Sequence, residues 1–184
     1  MDGFRFELGN EEKNYLKELA RQSILSVFDR QDGWSAPNPP TDTLREPLGA
    51  FVTLTSGGRL RGCIGHIVGD KPLYQTIAGM ARAAAFEDPR FPPLSKAEFE
   101  SVRIEISILS PITPCPDPAQ VEVGRHGLIM RQGYRQGLLL PQVPVEWKWD
   151  RETFLSQTCV KAGLPPDAWK LPATEIYWFE AVVF

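Results

Sequence analysis

The sequence holds only two histidines and three cysteines among its 184 residues. His66 and His126 lie far apart, and neither H-x-x-x-H nor C-x-x-C spacing occurs, so no compact ligand set forms and no metal is expected. Cys63, Cys115 and Cys159 are odd in number and widely spaced, which fits neither a zinc ribbon nor a disulfide scaffold. Unpaired cysteines of this kind imply a reducing, cytoplasmic setting. Long apolar runs are missing: 137–140 and 181–184 fall far short of the roughly 20 residues that span a bilayer. Residues 1–8 carry charges and lack the basic-then-apolar pattern of a signal peptide. Basic excess is missing too, since 20 Lys and Arg face 23 Asp and Glu for a net charge of -3, and nucleic acid is not an expected partner. Ser56-Gly57-Gly58 lacks the G-K-S/T ending of a phosphate loop.

What is present is globular. An apolar fraction of 42% with 23% charged residues suits one ordinary domain, or two small lobes sharing a core. A helix is predicted from Asn10, with Leu16, Leu19, Ala20, Ile24, Val27 and Phe28 on its buried face. Proline, glycine and aspartate make 31–47 a long loop. Strands at 49–55 and 59–67 joined by Ser56-Gly57-Gly58 read as a hairpin. A second helix covers 73–86 behind Pro72, and Ser95 with Glu98 forms a capping box. Residues 102–110 alternate with period two. Four prolines in 111–118 predict a stiff connector with an exposed Cys115. A second hairpin (127–131 and 137–140), a helix capped by Asp150 and a closing strand at 174–184 complete an α+β chain.

Chemistry concentrates at Leu60-Arg61-Gly62-Cys63-Ile64-Gly65. Glycines inside a strand weaken it and mark a close approach by a ligand or another backbone. Alternation places Arg61, Cys63 and Gly65 on one face, the polar one shared with Glu105 and Ser107 of a neighbouring strand. A cationic neighbour favours the nucleophilic thiolate, so one reading makes Cys63 an activated nucleophile. The other makes it a small packed residue. Arg90, two residues after Asp88, either grips an anion or simply fastens its proline-rich loop. His126, in Gly124-Arg125-His126-Gly127, is read as a proton shuttle oriented by Glu105 or Asp88, or as a solvent-facing turn residue. Cys159 shares a helix face with Leu155 and Ala162 and is expected to be buried. Trp147 and Trp149 flank Lys148 and are assigned to core and lobe-edge packing.

Several ordered blocks resemble the AMMECR domain family: LRGCIG at 60–65, F-E-D-P-R-F at 86–91, V-R-I-E-I-S-I-L-S-P at 102–111, G-R-H-G-L at 124–128, L-L-P-Q-V at 139–143 and F-L-x-x-x-C-x-K-A-G-L at 154–164. Glu146-Trp147-Lys148-Trp149-Asp150 departs from the family's usual G-W-D. The resemblance implies a single two-lobed α+β domain over 1–184, with a connector near 111–119, mixed or antiparallel sheets, flanking helices and a cleft between a larger and a smaller lobe. It also implies a setting with Memo-like and radical S-adenosylmethionine proteins as partners. On the matching motifs, Cys63, His126 and Glu105 are candidate catalytic residues. Arg61, Gly62, Gly65, Asp88, Arg90, Gln142 and Lys161 are candidate ligand-binding residues for a small anion, and Cys159 matches the family as well. The resemblance leaves any cofactor unknown. Two functions follow: an enzyme component acting through Cys63 on a small metabolite or partner, or a non-catalytic ligand- or protein-binding module in which LRGCIG is structural.

Overall fold

The computed structural model describes residues 7–184. The chain forms two compact units, divided between Leu109 and Ser110, with residues 182–184 returning to the first. Both are α+β and their strand pairs are antiparallel.

The N-terminal unit contains α1 (Asn10–Phe28), β1 (Ala50–Ser56), β2 (Arg59–His66), α2 (Leu73–Phe86), α3 (Lys96–Phe99) and β3 (Arg103–Leu109). The cap of α1 is Gly9 rather than Asn10, because the Glu12 carboxylate accepts the Gly9 N–H at 2.8 Å. Leu16, Leu19, Ala20 and Ile24 are buried as their spacing requires, whereas Val27 is exposed. The strands lie in the order β2, β1, β3. Ala50, Val52 and Leu54 pair with Ile108, Ile106 and Ile104 across β3, giving an apolar face. Helix α2 packs over β1 and β2, and α1 over β3. Beyond β3, Ile106 and Phe184 exchange two backbone hydrogen bonds. The 31–47 loop is pinned by the buried Leu44 and by the Tyr15 hydroxyl, which donates to the Pro37 carbonyl at 2.6 Å. Gly57 and Gly58 both take positive φ in the β1–β2 turn.

The C-terminal unit contains β4 (Thr113–Pro114), β5 (His126–Gln132), β6 (Arg135–Leu139), α4 (Gln142–Glu146), α5 (Arg151–Lys161) and most of β7 (Glu175–Val183). Its sheet runs β4, β7, β5, β6. Asp150 caps α5 by accepting the Thr153 N–H at 2.8 Å. Phe154, Leu155 and Cys159 of α5 pack with Leu128 and Met130 to make the core. The proline-rich 111–118 segment is more than a connector. Thr113 and Pro114 pair with Trp178 and Tyr177, and the Cys115 N–H donates to the Ile176 carbonyl at 2.8 Å. Prolines are tolerated there because β4 is an edge, where a missing N–H disrupts no ladder. Cys115 is consequently half-buried against the core, not exposed, and burial pushes its thiol pKa up. Trp149 packs on that core, but Trp147 is exposed, contrary to the packing expectation, with the two rings stacked at 6.2 Å. The α4 turn escaped the sequence reading because Pro141 and Pro144 obscure its period.

Candidate functional site

Strand β2 is a sheet edge, so Cys63 has a backbone N–H and carbonyl directed away from β1. Both are taken by the D-P-R turn that follows α2. The Cys63 N–H donates to Asp88 Oδ2 at 2.9 Å, and Arg90 Nη2 donates to the Cys63 carbonyl at 3.2 Å. A carboxylate and a guanidinium therefore supply the acceptor and donor that another strand would, capping the edge. The pair is itself two-pronged: Arg90 Nε reaches Asp88 Oδ1 at 3.0 Å and Nη2 reaches Oδ2 at 2.7 Å. The Arg90 backbone N–H adds a fourth bond at 3.1 Å, so all four acceptor positions of Asp88 are used. Asp88 is buried. The Arg90 guanidinium, and then the Cys63 N–H, hold its carboxyl well below the usual carboxylate range.

Leu60, expected on the apolar face with Gly62 and Ile64, instead stands opposite Thr55 and is exposed, and the same irregularity affects Arg61. A register shift opposite Leu54 and Thr55 leaves it without a strand partner. Its guanidinium goes to Glu98 at 3.1 Å and to the Pro92 carbonyl at 3.0 Å, and the Glu98 carboxyl is lowered to about 2 chiefly by that contact. Phe91 lies between the cations, 5.8 Å from Arg61 and 5.6 Å from Arg90. The glycines are explained by packing. A Cβ at position 62 would strike the Ala84 carbonyl of α2, and one at position 65 would strike the Ala50 carbonyl and the Phe51 ring. Cys63 itself is half-buried and reduced, and the Thr53 hydroxyl donates to its Sγ at 3.2 Å. Glu105 stands in register with Thr53 on β3 and is exposed.

His126, expected on an exposed turn, opens β5 and is buried at 6% exposure. Pairing with Glu180 of β7 and the Trp178 ring 4.4 Å away cover it. Its Nδ1 accepts the Glu122 N–H at 2.9 Å, which assigns the ring proton to Nε2. Burial, then the neighbouring Arg125, pushes its pKa down, so the imidazole is neutral. His126 lines a cavity of about 820 Å³ within the C-terminal unit, together with Glu122, Arg125, Arg151, Trp178 and Glu180. Arg125 bridges the two glutamates, at 2.7 Å to Glu180 and 2.9 Å to Glu122. Arg151 donates one bond, to the Ala119 carbonyl at 2.7 Å. The Trp178 indole N–H is anchored by the Thr113 hydroxyl at 3.1 Å.

A family model described as AMMECR1 matches residues 17–184. The chain belongs to the AMMECR1 family. Protein MK0488 of Methanopyrus kandleri is 46% identical over 183 residues, covering 95% of this chain and 88% of that one. A Methanosarcina acetivorans protein is 51% identical over 178 residues, covering 91% and 87%. The crystal structure of the uncharacterized protein PH0010 from Pyrococcus horikoshii superposes with a TM-score of 0.85 at 39% identity, covering 97% of this chain and 93% of that one.

Of the AMMECR1-type candidate residues, Arg61, Gly62, Cys63, Gly65, Asp88, Arg90 and Glu105 belong to the N-terminal unit, where the LRGCIG and D-P-R blocks meet. His126, Gln142, Cys159 and Lys161 belong to the C-terminal unit. There Cys159 is buried in the core, Gln142 opens α4, and Lys161 is exposed at the end of α5. Arg125, Arg151, Trp178 and Glu180 were not singled out by sequence. They are dispersed over 56 residues, and only the pairing of β5 with β7, with α5 bringing Arg151, reveals a common wall; the strand-end histidine was the one available signal. Among the described residues no three His, Cys, Asp or Glu side chains group as a metal would require, and no helix is long and apolar enough to cross a membrane.

Proposed function

We propose that this AMMECR1-family protein is a ligand-binding module in which LRGCIG is structural and the ligand enters the cavity of the C-terminal unit. The observation that carries this reading is the commitment of the hexapeptide's polar groups. The Cys63 N–H and carbonyl, the Asp88 carboxylate and the Arg90 fork are spent on one another, and Arg61 is spent on Glu98 and Pro92. An anion reaching the Nε and Nη2 donors of Arg90 or Arg61 would have to displace a carboxylate already in bidentate contact, at a cost its own contact only repays in part. The C-terminal cavity combines a volume within the range of small-molecule sites with a few converging polar groups and an aromatic wall.

The second reading is an enzyme component acting through Cys63 in a system with Memo-like and radical S-adenosylmethionine proteins. The Thr53 hydroxyl held against a reduced, half-buried thiol favours it. Fragment titration of the full chain, followed by heteronuclear NMR, separates the two. Small aromatic fragments should perturb His126 and Trp178, and Cys63→Ala should bind them within twofold of the parent. Loss of binding in Cys63→Ala, or fragments that collect around Cys63 and leave the cavity resonances unmoved, would overturn the module reading.

A further inference from the structure

We infer that the C-terminal cavity is built for a small zwitterion of the amino-acid class, its carboxylate taken by the His126 Nε2–H and the Arg151 guanidinium and its ammonium by the carboxylates of Glu180 and Glu122. This rests on the ligand-binding reading and names the ligand's chemistry.

Three observations carry it. The first is the open donor on His126. The residue is buried, its Nδ1 is used, and Nε2 meets no acceptor among the described residues. The only buried side-chain nitrogen or oxygen left unpartnered among the described residues is Thr174 Oγ1. Nε2 is not among such atoms, and the space His126 lines is this cavity. A neutral imidazole with its proton on Nε2 gives a hydrogen bond there and takes none, so it asks for an acceptor.

The second is the charge balance of the wall. Two glutamates share the single Arg125, leaving one negative charge in excess around that trio. Each bonds it through one oxygen, Oε1, so each keeps a second oxygen that takes no hydrogen bond from the described residues. Arg151 carries the balancing positive charge. It has five donors, one spent on Ala119, and no carboxylate within ion-pair range among the described residues. A purely anionic guest suits Arg151 but is repelled by the trio, and a cation meets the converse. A molecule bearing both charges satisfies both ends.

The third is the apolar flank. The Trp178 ring is fixed by Thr113 at its N–H and by His126 across its face, so it presents a rigid wall to a ligand's side chain.

The test uses the full chain and three matched probes: L-phenylalanine, 3-phenylpropionate, which lacks the ammonium, and phenethylamine, which lacks the carboxylate. The ring carbon–proton resonance of His126 reports binding, and His66, exposed in the N-terminal unit, is the internal control. Phenylalanine should move His126 saturably and leave His66 unmoved, and each half-probe should bind roughly tenfold or more weakly, the worth of a charge-assisted hydrogen bond. Arg151→Gln should weaken phenylalanine and leave phenethylamine unchanged. The probe comparison is made on the unmodified chain and needs no variant to fold. If 3-phenylpropionate or phenethylamine binds as well as phenylalanine, the zwitterion assignment falls while the ligand-binding reading stands. If no probe moves His126, the assignment falls outright. If Cys63→Ala abolishes binding of phenylalanine, the module reading falls and the zwitterion chemistry survives it.

Discussion

Gly62→Ala tests whether the glycines of LRGCIG serve packing or leave room for a ligand. Gly62 is buried, and the place its Cβ would occupy overlaps the carbonyl oxygen of Ala84 in α2. The obstacle is helix backbone, which has no rotamer to yield, so β2 must withdraw from α2 by on the order of 1 Å. Overpacking costs about 1–3 kcal/mol, and a backbone-on-backbone clash belongs at the upper end of that range. For a chain of this size, each kcal/mol lowers Tm by about 2–4 °C, so a fall of about 6–12 °C is expected. Gly79 in the same helix is the control. It is exposed, has nothing within 4 Å of its added Cβ and takes no positive φ. Gly79→Ala should therefore stabilise by about 0.5–1 kcal/mol through helix propensity alone. Thermal and urea unfolding of both variants beside the parent measure the difference. A Gly62→Ala protein within about 0.5 kcal/mol of the parent would refute the packing account and return the glycine to a role in ligand approach.

Burial of neutral His126 makes stability depend on pH. Its folded pKa is depressed, so as pH falls below about 6.5 the unfolded chain takes up a proton that the native state resists; stability is flat above that value and declines below it. Between about pH 7.5 and 5.5, His126→Gln should show a shallower loss of Tm than the parent, and an unchanged slope would remove His126 as its cause. Asp88→Ala deprives Arg90 of its counter-charge and the Cys63 N–H of its acceptor; hydrogen exchange at the Cys63 amide should accelerate there and stay slow in Glu98→Gln. Because the Asp88 carboxyl is held low, that clamp persists above the ordinary aspartate value of about 3.9 and is lost as pH falls through the lower native value, which amide exchange of Cys63 against pH would trace. Phe154→Ala empties a fully buried site in the C-terminal core and should cost about 3–5 kcal/mol in denaturant unfolding.

Periodicity alone carried most of the elements. Helix α2 begins and ends at the residues its sequence predicts, the Ser95–Glu98 capping box closes as written, and the two hairpins turn at their glycines. Local rules suffice in these places because caps, turns and amphipathic faces are decided by residues three or four apart. Long-range partners decided the rest. The proline-rich 111–118 segment looked like a connector because nothing local shows that β7 will pair with it. Leu60 left its predicted face because of a bulge in a ladder whose other strand sets the register.

The same division applies to chemistry. From the chain alone came the α+β class, the family blocks, the scarcity of metal ligands and the identity of Cys63, Asp88, Arg90 and His126 as residues worth locating. The tertiary structure decided what each one touches. Asp88 and Arg90 lie 25 and 27 residues beyond Cys63 and reach it only because α2 returns the chain to the edge of β2. Arg125, His126 and Glu180 come together only when β5 pairs with β7, and Arg151 joins their wall from the start of α5. Motifs record which side chains are available; whether a charge is spent on a neighbour or left open to a ligand depends on distances of a few ångströms between segments remote in sequence, and those distances are set by packing.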